Sequence, residues 1–553
     1  MKKKIVVIMS IITLVLFGIT IYIARNKSLY KIDLNNLTFA ENNEIENIKT
    51  YSIKDFESFL DDYNNNRLPM VYITKFLFDG VSMYKPYDLD NFIDNGNNYA
   101  LNYFEITNIN FHQVGRYELV GKIDNAMLSI NTNDLQGKVS LLLNNVNIDT
   151  KSKKVPVIYV YNKDINYTDA KVFINTISNS KNYLEGGKLK KVSLISKEEL
   201  ESYANKYTGE NKNNYELYNN YYGIYTKEEI NKILFAKVEA DKDDLQDGDP
   251  YYFYKGAGAI SSDIDLYFEG DGLLEVNSKN DEGIETKGNL ALIGGKGDYV
   301  VKSYDDALNT TTKNIINDAR NTIVVDVKSL YAFVSNDADE GDAIDSNGEI
   351  YINGGKIIAL SRPGNDSGLD SEKGTYINGG EVIATGDMLD DIRKESAQKV
   401  MVLSFNDGLK SGNSIALSIK NGSLIFAFKT DRVCQNLVYS SSKLNNDIYY
   451  LYNVDYVNGF EENGLYHEIS SLNGAKQLGY AMKGKIERKH NIDMLNDSSD
   501  SINNQTFDKN EKNNVRPPMD RKDSFNGSDV SLNSDFVIND TVNIFSGIDL
   551  INK

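Results

Sequence analysis

The chain has 553 residues, with 79 Asp and Glu against 60 Lys and Arg; its net charge of −19 argues against nucleic acid and anionic lipid as partners. A single cysteine, Cys434, rules out an intramolecular disulfide, and His112, His467 and His490 are too scattered for a zinc site. Trp is absent, so any stacking on sugar rings falls to the 37 Tyr.

MKKK is followed by an uncharged, mostly apolar run from Ile5 to Ala24. A bilayer is crossed by about 20 such residues. Residues 1–28 therefore read as an uncleaved single-pass anchor with Lys2, Lys3 and Lys4 inside the cell. A cleaved signal segment, releasing a secreted protein, is the alternative; Tyr22 stands where a small residue should precede cleavage after Ala24. The remainder is then expected on the extracellular face.

Residues 29–100 form a mixed region, in which IKDFESFLDDY predicts a short helix and PMVYITKFLF a strand. From 101 to 186 the pattern is all-β, and the alternation in RYELVG and MLSIN marks strands with one buried face. Residues 187–250 interrupt it with a helical and polar insertion, where Ser196 and Glu199 fit a capping box.

Between 251 and 388 one phrase recurs: an acidic corner, a small residue, an apolar anchor, then a short strand ending in a glycine turn. The anchors Ile260, Ile284, Leu308, Ile344 and Leu369 are spaced by 24, 24, 36 and 25 residues, so one copy carries an insertion of about a dozen. The pairs Gly354-Gly355 and Gly379-Gly380 repeat the step of 25. Runs this short, bounded by Gly or Asn, are strands, and about 24 residues at about 3.3 Å each make three of them with tight corners. Such repeats bury their apolar face only against their neighbours, which predicts a parallel β-helix.

Equivalent positions then lie above one another. Glu282, Asp306, Asp342 and Ser367 precede the anchors, flanked by Asp281, Asp305, Glu340 and Asp366; Glu285, Asn309, Asp345 and Asp370 follow them. Stacked carboxylates raise one another's pKa or demand a cation. Hard oxygen donors on a turn-rich frame suit Ca²⁺, and the candidate ligands are Asp281, Glu282, Asp305, Asp306, Glu340, Asp342, Asp345, Asp366 and Asp370. The competing reading is a row of solvated corner residues chosen for turn chemistry.

Residues 389–484 begin with a predicted helical piece, LDDIRKESAQ, and continue as a C-terminal antiparallel β region. Residues 485–535 are polar and read as a disordered tail, and 536–553 as a terminal strand.

GRYELVGKI, KVSLLLNNVNI and VIYVYN, the coils DEGIETKGNLALIGG and GDAIDSNGEIYINGG, and the stretch VMVLSFNDG to NLVYSSSKL together resemble a family of bacterial carbohydrate-binding domain-containing proteins. These are cell-surface right-handed β-helices similar to polysaccharide lyases. The resemblance covers Leu101 to Gly479 apart from the insertion. It implies a right-handed parallel β-helix, so that with the segments read above the expected fold is all-β: that helix with an N-terminal transmembrane anchor, a helical insertion and a C-terminal antiparallel β region. It also implies bound calcium and a cellulose-like or acidic, pectin-like glycan. Asp306 and Asp342 match the family's repeated Asp, whereas Glu282 and Ser367 depart from it and Gly258 stands there in the first coil, which would confine calcium to the middle coils.

Three functions follow. The first is a membrane-tethered, monomeric, non-catalytic polysaccharide binder. The second is a calcium-dependent lyase, with Lys287, Lys302 or Arg320 as the base. The third is a structural or adhesin solenoid that binds protein.

Overall fold

The computed structural model describes residues 29–187, 258–484 and 532–550, apart from internal stretches of which the longest are 79–103 and 312–320. The anchor run 5–24, nearly all of the insertion 187–250 and the tail 485–535 as far as 531 lie outside the described residues. Among the described residues no helix is long and apolar enough to cross a membrane.

Among the described residues the elements are β-strands, mostly parallel, apart from a helical turn within 58–62. Each 24-residue repeat contributes three strands. The first is a three-residue piece at the acidic corner: Ile260–Ser262, Ile284–Thr286, Leu308–Thr310 and Ile344–Ser346 pair parallel and in register, below Ile158–Tyr161 and above Asp370–Ser371. The second ladder runs through Ala170–Thr176, Leu266–Gly270, Leu290–Leu292, the first half of Ile323–Val334, the first half of Glu349–Leu360, and Gly374–Ile377. The third runs through Lys181–Gly186, Leu273–Ser278, Asp298–Ser303, the second halves of the two long strands, and Glu381–Gly386. Alternate residues face inward: the anchors Ile260, Ile284, Leu308 and Ile344 are all fully buried in one continuous core. Because Thr286 pairs with Thr310, Leu290 with Ile323, Ser303 with Val334 and Leu308 with Ile344, the extra residues of the long step fall at two corners, between Thr310 and Ile323 and between Val334 and Ile344.

The glycine pairs mark the corner between the second and third ladders. Gly380 has φ 93°, and a Cβ there would lie 2.5 Å from the Gly355 carbonyl oxygen one coil away. A side chain is excluded both by the left-handed backbone and by the close approach of the next coil. Gly380→Ala is accordingly expected to cost about 1–3 kcal/mol, measurable as a drop in melting temperature by circular dichroism.

Three expectations change in detail. Ser58, Phe59, Asp61 and Asp62 are helical, but the other described elements of the mixed region are strands of the β-fold. Leu29–Asp33 joins the second ladder by pairing parallel with Gly115–Asp124, and Thr38–Glu41 and Glu44–Asn47 fold back antiparallel over it. The cause is the alternation in LYKID, which sends Tyr30 and Ile32 into the same core as the coils. LDDIRKESAQ is not helical: Ile392 bridges Thr375 in parallel and is buried, so this segment continues the winding for part of another turn. The terminal run forms two strands, Phe536–Val537 and Val542–Ile548, in different sheets.

The C-terminal β region extends the third ladder. Cys434–Ser440 pairs antiparallel with both Glu381–Gly386 and Val400–Leu409, the latter also pairing parallel with Val542–Ile548. A separate antiparallel sheet built from Ser414–Ile419, Leu424–Lys429 and Ile448–Val454 packs against it over a second core. Cys434 is buried within that core, and burial pushes its thiol up to about 12.

Candidate functional site

The acidic corner is built by the small residue of the repeat. Ala259, Ala307 and Ala343 are fully buried, and Gly283 takes the same place in the second coil. Each donates its N–H to the carbonyl of the acid-position residue one coil on: Ala259 to Glu282 (3.0 Å), Gly283 to Asp306 (2.9 Å), Ala307 to Asp342 (3.1 Å) and Ala343 to Ser367 (3.2 Å). A Cβ on Gly283 would meet Val301 at 2.3 Å and the Ala307 carbonyl at 2.6 Å, so this coil closes only with glycine where the other three carry alanine. The side chains of Glu282, Asp306 and Asp342 are thereby fixed in one column. Glu285, Asn309, Asp345 and Asp370 form a second column by strand register.

Two sets of carboxylates converge, each with one oxygen per residue within 4.8 Å of the others. One is Asp281, Glu282 and Asp305; the other is Asp342, Asp345 and Asp370. Asp306 lies between them and is engaged elsewhere: it accepts from the backbone N–H of Asp342 (2.7 Å) and from Asn309 Nδ2 (2.5 Å). Asp342 in turn accepts from the backbone N–H of Ser367 (2.5 Å). Glu340 is exposed, and Asp366 is ion-paired with Arg362 at 2.8 Å; neither joins the two sets.

Burial sets the electrostatics. It raises the carboxyl of Asp305 to about 8, with Asp306 and Asp281 adding to the effect. It raises Asp342 to about 10 and Asp345 to about 9, helped in both by Asp306 and Asp370. Asp306 reaches about 7, because the bonds from Asp342 and Asn309 partly offset its burial. Glu282 is raised well above its usual range by burial and by Glu285. Glu285 is raised by burial against the pull of Lys287 and of the hydrogen bonds from Gly258 N (3.1 Å) and Ser261 Oγ (3.2 Å). Carboxylates in this setting stand together only with protons or a cation among them.

The donor set tests what the cation can be. Every candidate ligand is oxygen, with no thiol or imidazole in either set, which fits Ca²⁺ and not zinc. Oε2 of Glu282 and Oδ1 of Asn309 are buried and find no hydrogen-bond donor among the described residues. These are acceptors left open beside the carboxylates, as metal ligands are.

Lys287, one of the lysines considered as a base, is ion-paired with Asp263 at 2.8 Å. Its burial works against the charge, but Asp263 and Glu285 prevail and hold the ammonium above its ordinary pKa. Lys302 pairs with Glu275 at 3.1 Å, and Arg320 lies outside the described residues.

The model of a family described as carbohydrate-binding domain-containing proteins matches residues 106–203 and 224–436. Among solved structures, a chain from C. thermocellum titled as a polysaccharide lyase-like protein, gadolinium derivative, is similar at 14% identity. That likeness covers 64% of this chain and 92% of that one, with a TM-score of 0.26. No curated protein matches the sequence. The family match takes in more than half of the chain and spans every acidic corner of the coils. The chain therefore belongs to the family of carbohydrate-binding domain-containing proteins.

Proposed function

We propose that the protein is a calcium-dependent, non-catalytic polysaccharide binder, monomeric and held at the outer face of the cell membrane by residues 5–24. We read its coils as a right-handed parallel β-helix, because crossovers between parallel strands of one sheet are right-handed in about 98% of cases. Asp281, Glu282 and Asp305 would hold one calcium ion, and Asp342, Asp345 and Asp370 a second. The ion would supply the positive charge that lets these acids ionise side by side and so stiffen the stacked coils. Family membership carries the carbohydrate part of this reading. The observation that carries the calcium part is the convergence of two carboxylate triads, one above the other, in a corner where Asp281 is buried and the other five acids are half-buried.

A lyase needs a neutral base beside the uronate. Lys287, held charged by Asp263, is poorly suited to that task. The binding reading is tested by incubating the protein with insoluble cellulose and with insoluble pectate, with calcium and with a chelator. Retention on a glycan in calcium, most of it lost in chelator, is the expected result. Release of an unsaturated, ultraviolet-absorbing product would turn the assignment to a lyase. Retention on neither glycan would leave the adhesin reading in its place.

A further inference from the structure

The acidic corner occupies one edge of each coil, and the outward face of the second ladder is chemically different. Strand register lines up Phe173, Tyr267, Ala291, Val324, Tyr351 and Tyr376 in a single column across successive coils. Their neighbours along each strand are buried, whereas these six are partly exposed, so the column is the outer side of the alternation. Phe173 and Tyr267 stack with ring centroids 4.8 Å apart and planes 17° apart; Tyr351 and Tyr376 stack at 4.8 Å and 7°. Ala291 and Val324, small and flat, fill the interval. Five strand steps of about 4.8 Å make a level stripe about 24 Å long.

Polar columns border the stripe. On one side stand Asp265, Asn289, Thr322 and Glu349, the tyrosines leaning on them: Tyr267 donates to Asp265 (3.4 Å) and Tyr351 to Glu349 (2.7 Å). On the other side are Glu269, Asp326 and the exposed pair Asn353 and Asn378, joined at 2.9 Å. A flat apolar strip with hydrogen-bonding acceptors along both edges matches a sugar chain, whose rings present C–H faces and whose rims present hydroxyl donors. Four of the border residues are carboxylates, which repel a polyanion. Two lysines paired in register stand at the Phe173 end of the face: Lys138, over the ring of Phe173 at 3.3 Å, and the exposed Lys171, two residues before Phe173 on the same outward side.

We propose that this stripe is the glycan-binding face and that its ligand is a neutral, linear polysaccharide laid across the coils. The inference rests on the reading of the protein as a polysaccharide binder, and it separates the face that holds sugar from the corner that would hold calcium.

The test uses the full-length chain in mild detergent and affinity electrophoresis through hydroxyethylcellulose and through polygalacturonate, both with calcium present. The expected result is retardation by hydroxyethylcellulose only. In the doubly substituted Tyr267→Ala, Tyr351→Ala protein the affinity should fall roughly tenfold, the change produced by losing about 1.4 kcal/mol. The corresponding Tyr→Phe pair keeps the ring faces and should keep most of the affinity; equal melting of all three proteins excludes misfolding as the cause. Hydroxyethylcellulose binding that survives the alanine pair, or binding to polygalacturonate alone, overturns this face while leaving the glycan-binding function standing. Retardation by neither polymer removes the function and the face together.

Discussion

In chelator, the melting temperature of the protein is expected to fall steadily as the pH is raised from about 5 to about 9, and millimolar calcium is expected to remove that fall. The sign follows from the direction of the shifts. Asp305, Asp306, Asp342 and Asp345 have folded pKa values of about 8, 7, 10 and 9, all raised first by burial. Unfolded aspartates titrate near about 3.9. Between these limits the folded chain binds more protons than the unfolded one. The stability that protonation lends is complete below the unfolded pKa and is lost as pH climbs through the folded values. Calcium competes with those same protons, so its effect must grow as they leave. At a thousandfold excess over its dissociation constant a ligand of the folded state adds about 4 kcal/mol. The calcium-induced rise in melting temperature should therefore be several degrees near pH 8 and much smaller near pH 5. Asp342→Asn removes one charge from the second triad; it should flatten the pH dependence in chelator and shrink the response to calcium. Identical melting with and without calcium at pH 8 would defeat the metal assignment.

How much of this was legible in the sequence depends on where the period reaches. The anchors at Ile260, Ile284, Leu308 and Ile344 gave the coil length, and a fixed coil length dictates which acids become vertical neighbours. The choice among those acids did not follow, because it turns on side-chain direction: Asp306 faces the Asp342 N–H, Asp366 faces Arg362, and Glu340 faces solvent. The aromatic stripe carried a signal that could have been read. Tyr267, Ala291, Tyr351 and Tyr376 each lie seven residues after their anchor, at the phase that points outward. The segment LDDIRKESAQ has helical composition and no helix, since Ile392 gains more by covering the end of the coil core than an isolated short helix would gain in water. The way the coils end also escaped the sequence, for it depends on one residue that looks like an ordinary surface cation.

Arg432→Ala is expected to destabilise the fold by about 3–5 kcal/mol, more than any single change on the outer face of the coils. Its side chain is fully buried, although it comes from the turn between Leu424–Lys429 and Cys434–Ser440. Nη1 lies within bonding distance of three carbonyl oxygens, those of Val334 (2.9 Å), Leu360 (3.0 Å) and Ser361 (2.6 Å). Val334 and Leu360 end the third-ladder strands of two successive coils, so one guanidinium caps both strand ends. The guanidinium plane also rests 4.2 Å from the centre of the Phe333 ring, and Nε pairs with Asp431 at 2.8 Å. Alanine would strand these buried acceptors, each at about 1–3 kcal/mol, and leave a cavity between the two cores. Lysine supplies one point charge in place of a planar fork and should recover only part of the loss. Denaturant melts of the three proteins give the ordering directly. Because Arg432 joins the coils to the C-terminal sheets, the alanine variant should also open that junction to protease before the coils themselves unfold. A variant within about 1 kcal/mol of the parent would mean that the two cores hold together without it.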